Sequence, residues 1–303
     1  MQGSSVGSRS TLLILVAALS LGWGFSWPLM KMALSEFPVW TFRAGTCLLA
    51  GSCVLALAGL SAGRHRPTGA EWGVVMLAAL FNVTGWHMFI GYGLPLVPAG
   101  HAAVLAYTMP LWVVLIGTGF LGERLEMTTV AGLVLGLAGV ATLVSPDLAA
   151  LGKAPLGVLL VLLGALSWAI GTLMQKRYRT GISSLGLSGW QLVLGSLPIL
   201  ALTPLIEGLH IPDVSGRAWA SAVYVTLVAL VAGYFLWFKI VSLMPAGRAS
   251  ISTLLVPALG VVSGALFLGE PFGLREVLAL VLIGGALILV LAPPVRLAGQ
   301  KAG

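Results

Sequence analysis

Charge is what this chain has least of. Only 8% of its 303 residues are Asp, Glu, Lys or Arg, against 58% hydrophobic. A soluble domain carries about 25% charged residues, so a water-bathed globule is excluded, and the mean hydropathy of +1.04 agrees. Carboxylates are scarce: Glu36, Glu71, Glu123, Glu126, Asp147, Glu207, Asp213, Glu270 and Glu276 are all of them. Each falls between apolar runs or at the end of one, so coupling to a proton or cation through an acid in mid-membrane is not expected. Cysteine is limited to Cys47 and Cys53 in one apolar run. On a helix that spacing sets them about 240° apart, so no disulfide follows and both read as small buried apolar residues. A phosphate-cradling loop is missing too. Gly152-Lys153 comes nearest, but it lacks the upstream Gly and the following Ser or Thr. Direct use of ATP is excluded on that ground. No H-E-x-x-H set or nucleophile–base pair suggests an enzyme or a resident metal, and no cofactor is expected. No polar stretch is long enough to hold a soluble catalytic domain.

What remains is a succession of apolar runs. Crossing a bilayer takes about 20 mostly apolar residues. Ten runs qualify: 11–32, 39–60, 72–94, 99–120, 128–144, 156–175, 185–206, 218–243, 246–267 and 274–292. Gly132, Gly136 and Gly139 read as a small-residue packing face. The net charge of +7 does not point to nucleic acid, because the basic residues sit in short connections without an interleaved basic–aromatic patch. Their placement fits the cytoplasmic excess of Lys and Arg. With the N-terminus inside, Arg9, Arg64, Arg66, Arg124, Lys176, Arg177, Arg179, Arg296 and Lys301 are cytoplasmic, and Lys153, Arg217 and Arg275 are not. That bias predicts both termini in the cytoplasm and, for the chain, a multi-pass location in the inner membrane. Lys31 and Arg43 flank the first outer connection and are expected to anchor the interface.

The sequence also repeats itself. A shift of 147 residues carries Ala18-Leu19-Ser20 and Gly24 onto Ala165-Leu166-Ser167 and Gly171. The same shift carries Pro98-Ala99-Gly100 onto Pro245-Ala246-Gly247, Pro110 onto Pro257, and Leu121-Gly122-Glu123 onto Leu268-Gly269-Glu270. Aligned Pro, Gly and Glu at one spacing are not chance agreement among apolar residues. Span 1 thus has a partner in span 6 and is expected to be a retained helix, not a removable leader. Each half holds an odd number of spans, so the second half must enter the membrane from the opposite side. Inverted repeats of this kind place a site near the midplane. The expected fold is an all-α membrane protein of ten transmembrane helices, as two inverted five-helix repeats around a central cavity. The repeats are set at 10–145 and 156–292, with 293–303 as a cytoplasmic tail.

The stretch Tyr92 to Pro95, Pro98-Ala99-Gly100, Pro110, Leu121-Gly122-Glu123, Gly132 and Gly139, its second copy from Pro245 to Glu270, and the pair Trp23-Gly24 resemble the EamA domain of the drug/metabolite transporter superfamily. The resemblance covers nearly the whole chain. It implies a ten-helix basket lined by spans 1, 3, 4, 6, 8 and 9, with 5 and 10 peripheral. Within the superfamily the sequence is most similar to amino-acid exporters of the YddG type, linked with aromatic amino acids. The resemblance implies a monomeric secondary transporter or facilitator in the lipid bilayer that exports small organic metabolites, amino acids above all, by alternating access. Export of cationic aromatic compounds or sugar-type solutes is the alternative, and a membrane-embedded enzyme a more distant one.

Candidate solute-binding residues are those chemically out of place in lipid. His87 lies well inside span 3, where an ionisable group is a functional candidate; His101 is nearer an edge. Lys239, in span 8, could meet a solute carboxylate or reach the interface along its alkyl stem. Trp23 and Trp27, Trp86, Tyr107, Trp168, Tyr234 and Trp237 lie deeper than the interfacial Trp40, Trp72 and Trp219. Aromatic walls with few polar groups suit apolar or aromatic solutes. Asn82 and Gln175 supply polar groups that could bind solute or tie helices together. Pro110 and Pro257, at matched mid-span positions, are the expected gating hinges.

Overall fold

The computed structural model describes residues 4–61, 63–96, 105–122, 126–144, 155–178, 180–208, 213–268 and 272–291. Pro98-Ala99-Gly100, His101, Glu123, Asp147, Lys153, Glu270 and the tail 293–303 lie outside them. The described chain is helical throughout, as lipid requires: a backbone without water must satisfy its own donors and acceptors. Among the described residues ten main helices are seen: α1 (Ser4–Leu34), α2 (Val39–Gly59), α3 (Glu71–Gly93), α4 (Met109–Leu121), α5 (Met127–Val144), α6 (Pro155–Arg177), α7 (Ser184–Ile206), α8 (Gly216–Leu243), α9 (Leu255–Leu268) and α10 (Leu274–Leu291). Six of them, α1, α2, α3, α6, α7 and α8, are long and apolar enough to cross a membrane. This is an all-helical membrane protein. Its outer faces carry exposed apolar side chains such as Leu49, Phe120 and Leu266, which in water would be a liability and in lipid is the ground state.

Two expected spans are broken, not continuous. The run expected over 99–120 turns at Tyr107-Thr108 before α4, and the run expected over 246–267 splits at Thr253-Leu254 into a short helix, Ala246–Ser252, and α9. Pro110 and Pro257 are the cause. A proline ring clashes with the carbonyl of the residue four before it, here Ala106 and Thr253. The chain takes tighter turns instead: the Leu111 amide bonds the Thr108 carbonyl at 2.9 Å, and the Val256 amide bonds that of Thr253 at 2.9 Å. Both prolines then stand in the first turn of the following helix, where no intrahelical donor is missed. They are break-makers at a helix start, not kinks within a continuous helix.

The repeat is visible in three dimensions. α2 packs along α7 and α5 along α10, each pair running antiparallel: Gly51 lies on Leu192 and Val193 while Leu55 lies on Gly189, and Gly139 lies on Ile283 while Gly136 meets Ala286. The 147-residue shift relates the members of each pair. α1 packs on α8 and α9, as α6 packs on α3 and α4. Gly136 and Gly139 provide the expected small-residue face. Both α3 and α8 contain a π-helical turn, at Leu80–Gly85 and Val225–Ala232, and the shift brings the first onto 227–232. Of the two cysteines, Cys47 is buried as expected but Cys53 is exposed, because α2 turns only one face to α7.

Charges at the ends of helices tie the halves together. The Trp40 and Thr41 amides, at the start of α2, donate to Glu207 at 2.9 Å each. The Ser215 amide and hydroxyl, at the start of α8, donate to Glu36 at 2.7 Å each, and those bonds, the amide first, hold the Glu36 carboxyl below its usual range. A carboxylate is favoured there by the exposed amides of a helix N-terminus.

Candidate functional site

Where the two sets of helices meet there is a cavity. α1 lines it with Trp23, Ser26, Trp27 and Met30, one face of two turns; α3 lines it with Trp86, His87 and Ile90. Tyr107 comes from the break before α4, Met109 from the first position of α4, Trp168 from α6, and Val225, Ala229, Leu230 and Tyr234 from α8. The remaining wall is Arg43 of α2. Span 2 therefore contributes where the resemblance implied span 9, from which no described residue lines the cavity.

The aromatic rings touch one another. Trp168 sits at the centre, its ring centroid 5.8 Å from Trp23, 5.2 Å from Trp86 and 5.5 Å from Tyr234, all edge to face. Edge-to-face pairs of this spacing are the favoured aromatic geometry. Trp27 faces Tyr107 at 6.4 Å. The π-helical turns position the polar atoms. The Trp23 indole donates to the Ala229 carbonyl at 2.8 Å, and the Tyr234 hydroxyl donates to the Asn82 carbonyl at 3.3 Å. Asn82 and Ala229 are repeat equivalents, so each π turn offers the same carbonyl to an aromatic donor of the opposite half. His87 and Tyr234 are equivalents as well, and they meet: the hydroxyl lies 3.4 Å from His87 Nε2. The His87 Nδ1 and the Trp168 indole N–H have no hydrogen-bond partner among the described residues.

The sequence-selected residues divide into three sets. Trp23, Trp27, Trp86, His87, Tyr107, Trp168 and Tyr234 are brought together on the cavity wall. Trp237 is fully buried behind it, 6.1 Å from Trp23 and 6.0 Å from Trp168 between centroids. Asn82, Gln175 and Lys239 are elsewhere. Asn82 Nδ2 donates to Gln191 at 2.9 Å, and Gln191 in turn donates to Gln175 at 3.0 Å, a chain that joins α3, α7 and α6. Lys239 is exposed on the outer face of α8, because it is displaced from Tyr234 and Trp237 around the helix. Sequence reasoning missed Arg43, which it set at the interface. The arginine is only 5% exposed and lines the cavity. The signal available was its place one turn inside span 2, beyond Trp40. Nothing in the sequence told which face of α2 it occupies. No group of acidic, His or Cys side chains that could hold a metal ion occurs among the described residues.

Comparison with known proteins agrees with this architecture. The EamA-like transporter family model matches residues 10–145 and again 155–292. The uncharacterized transporter YvbV of Bacillus subtilis is 30% identical over 91% of this chain and 90% of its own length. A probable amino-acid metabolite efflux pump of Escherichia coli is 25% identical over 89% of this chain and 91% of its own. A solved crystal structure superposes with a TM-score of 0.75 at 21% identity, over 93% of this chain and 97% of that one, a likeness of fold.

Proposed function

The chain belongs to the EamA-like transporter family, and on that premise we propose that it exports small organic metabolites, foremost amino acids with aromatic side chains, by alternating access. It is a multi-pass membrane transporter with a small-molecule substrate, not an enzyme. The observation that carries the finer reading is the aromatic cavity, built from Trp23, Trp27, Trp86 and Tyr107 of one repeat and Trp168 and Tyr234 of the other. Rings on several sides and few polar groups fit an apolar or aromatic body. An efflux pump of amino-acid metabolites among the relatives supports the same class.

The antiparallel pairing of α2 with α7 and of α5 with α10 supports an inverted topology, repeats at 10–145 and 156–292, and a rocking motion of one against the other. With the N-terminus cytoplasmic, as the Lys and Arg bias suggests, and the chain in the inner membrane, the cavity lies in the outer half of the bilayer. The fully buried Trp237 and Phe238 then close it from the cytoplasm, with the tail 293–303 inside. The breaks at Tyr107-Thr108 and Thr253-Leu254, started by Pro110 and Pro257, are the hinges. The protein works as a monomer.

The test is reconstitution in liposomes with labelled phenylalanine, tryptophan, leucine and glucose. Saturable flux with counterflow of the aromatic amino acids, reduced about tenfold or more by Trp168→Ala, is the expected result. Equal flux of glucose, or flux that does not saturate, would refute it. A tenfold loss corresponds to about 1.4 kcal/mol, within reach of losing one ring contact of about 0.5–1.5 kcal/mol between Trp168 and an aromatic solute.

A further inference from the structure

We propose that the cavity is an organic-anion site in which the guanidinium of Arg43 holds the carboxylate of the transported solute. The proposal rests on the reading that this cavity is where solute binds. The other charges with described side chains near helix ends are either exposed, as Arg177, Arg217 and Arg275 are, or partnered: Glu36 has Ser215, Glu207 the start of α2, Glu71 the Arg64 guanidinium, Glu126 that of Arg248, and Lys176 the carbonyls of Val241 and Met244. Arg43 does not. It is 5% exposed, its side chain makes no hydrogen bond or ion pair among the described residues, and its Nε is buried without an acceptor. Its Cζ lies 6.0 Å from the centroid of the Phe42 ring.

A buried cation without a counter-ion is costly, and an arginine does not escape by losing its proton. The cost is tolerable where a mobile anion completes the site, and the planar fork of guanidinium donors matches a carboxylate two-to-two. The rest of the wall agrees in sign. The unused polar atoms there include one indole N–H, on Trp168, and one imidazole nitrogen, on His87. None of the carboxylates with described side chains, Glu36, Glu71, Glu126, Glu207 and Asp213, lines the cavity. One fixed positive charge and no described negative one define an anion site, not a site for amines.

The charge also appears once, not twice. The repeat equivalent of Arg43 is Trp190, whose indole donates to the His65 carbonyl at 3.0 Å, away from the cavity. A symmetric pocket with a single cation binds its solute one way round: carboxylate toward α2, apolar body among Trp23, Trp86 and Trp168. Amino acids qualify through their carboxylates, with the ammonium left to the ring faces. An amine with the same ring and no carboxylate does not qualify.

The experiment uses the full-length protein in nanodiscs and four probes: 3-phenylpropionate, phenylalanine, phenethylamine and hexanoate. Binding is read from thermal stabilisation and quenching of indole fluorescence. Both aromatic acids should bind, phenethylamine should not compete, and Arg43→Gln should weaken the acids at least tenfold, with Arg43→Lys intermediate. Phenethylamine binding as tightly as phenylpropionate, affinities within twofold in Arg43→Gln, or no binding of any probe would overturn the proposal. If Arg43→Gln fails to fold, Arg43→Lys and the acid-to-amine ratio of the wild type decide. Aromatic probes bound independently of Arg43 would sink this inference and leave the aromatic reading standing. Hexanoate bound through Arg43 with no aromatic probe bound would do the reverse.

Discussion

At the scale of the residue, a buried polar group serves one of two purposes according to which face of a helix it occupies. Asn82 and His87 are both buried polar residues of α3. Asn82 turns to α7 and is held by Gln191, while His87 turns to the cavity. Replacing Gln191 with Leu leaves the Asn82 amide and the Gln175 carbonyl oxygen without their described partners. Interhelical hydrogen bonds in membranes contribute about 0.6 to 2 kcal/mol, so Gln191→Leu should lower the thermal midpoint while the solute KM stays within twofold. Trp168→Ala should do the opposite, raising KM more than it lowers the midpoint. Lys239→Ala should change neither, since that side chain faces outward; a solute affinity lowered fivefold would return the lysine to the site. Close approach of backbones supplies another residue-scale test. A Cβ on Gly195 would stand 2.8 Å from the Ala79 carbonyl oxygen, and backbone cannot step aside as a side chain can. Gly195→Leu should cost about 1–3 kcal/mol of stability through overpacking, seen as early unfolding in detergent melts.

Elements carry the machinery that could move. The two π turns and the two proline-started breaks occur at repeat-related places, and three of the four, all but the break at Thr253-Leu254, border the cavity or stand beside a residue that does. π turns are frequent at functional sites because they aim side chains and carbonyls off the regular ladder. Here they present the carbonyls of Asn82 and Ala229 to Tyr234 and Trp23. The breaks at Tyr107-Thr108 and Thr253-Leu254 put non-helical backbone at membrane depth, which is tolerated only where protein or a cavity covers it. Changing Pro110 or Pro257 to Ala restores an amide donor and removes the ring clash, so the helix can extend through the break. If the breaks are hinges, each substitution should slow transport severalfold while leaving solute affinity near that of the wild type. Unchanged rates in stopped-flow uptake by both variants would count against hinging.

At the scale of the whole molecule, the halves are joined by antiparallel helix pairs and by carboxylates seated on helix starts. Glu36 ties the first connection to α8. Its carboxyl is held below the ordinary 4.5 by the Ser215 bonds. A lowered folded-state value means that the contribution to stability is present above the unfolded value and is lost as pH falls through the folded one. Thermal midpoints should therefore decline on acidification below about pH 4.5, and Glu36→Gln should remove part of that decline without changing its remainder. The sequence by itself determined the solvent, the number of helices, the duplication and the family pattern, since each depends on composition, on spacing or on identities at one fixed shift. It also marked seven of the cavity residues, because aromatic and imidazole groups are conspicuous in lipid-spanning runs. Only the tertiary structure decided which face of each helix turns inward. Apolar residues surround these helices on all sides, so no hydrophobic stripe separates core from lipid, and rotation is set by packing alone. For that reason Arg43 read as an interface anchor and is a cavity wall, while Lys239, Asn82 and Gln175 read as cavity residues and are not.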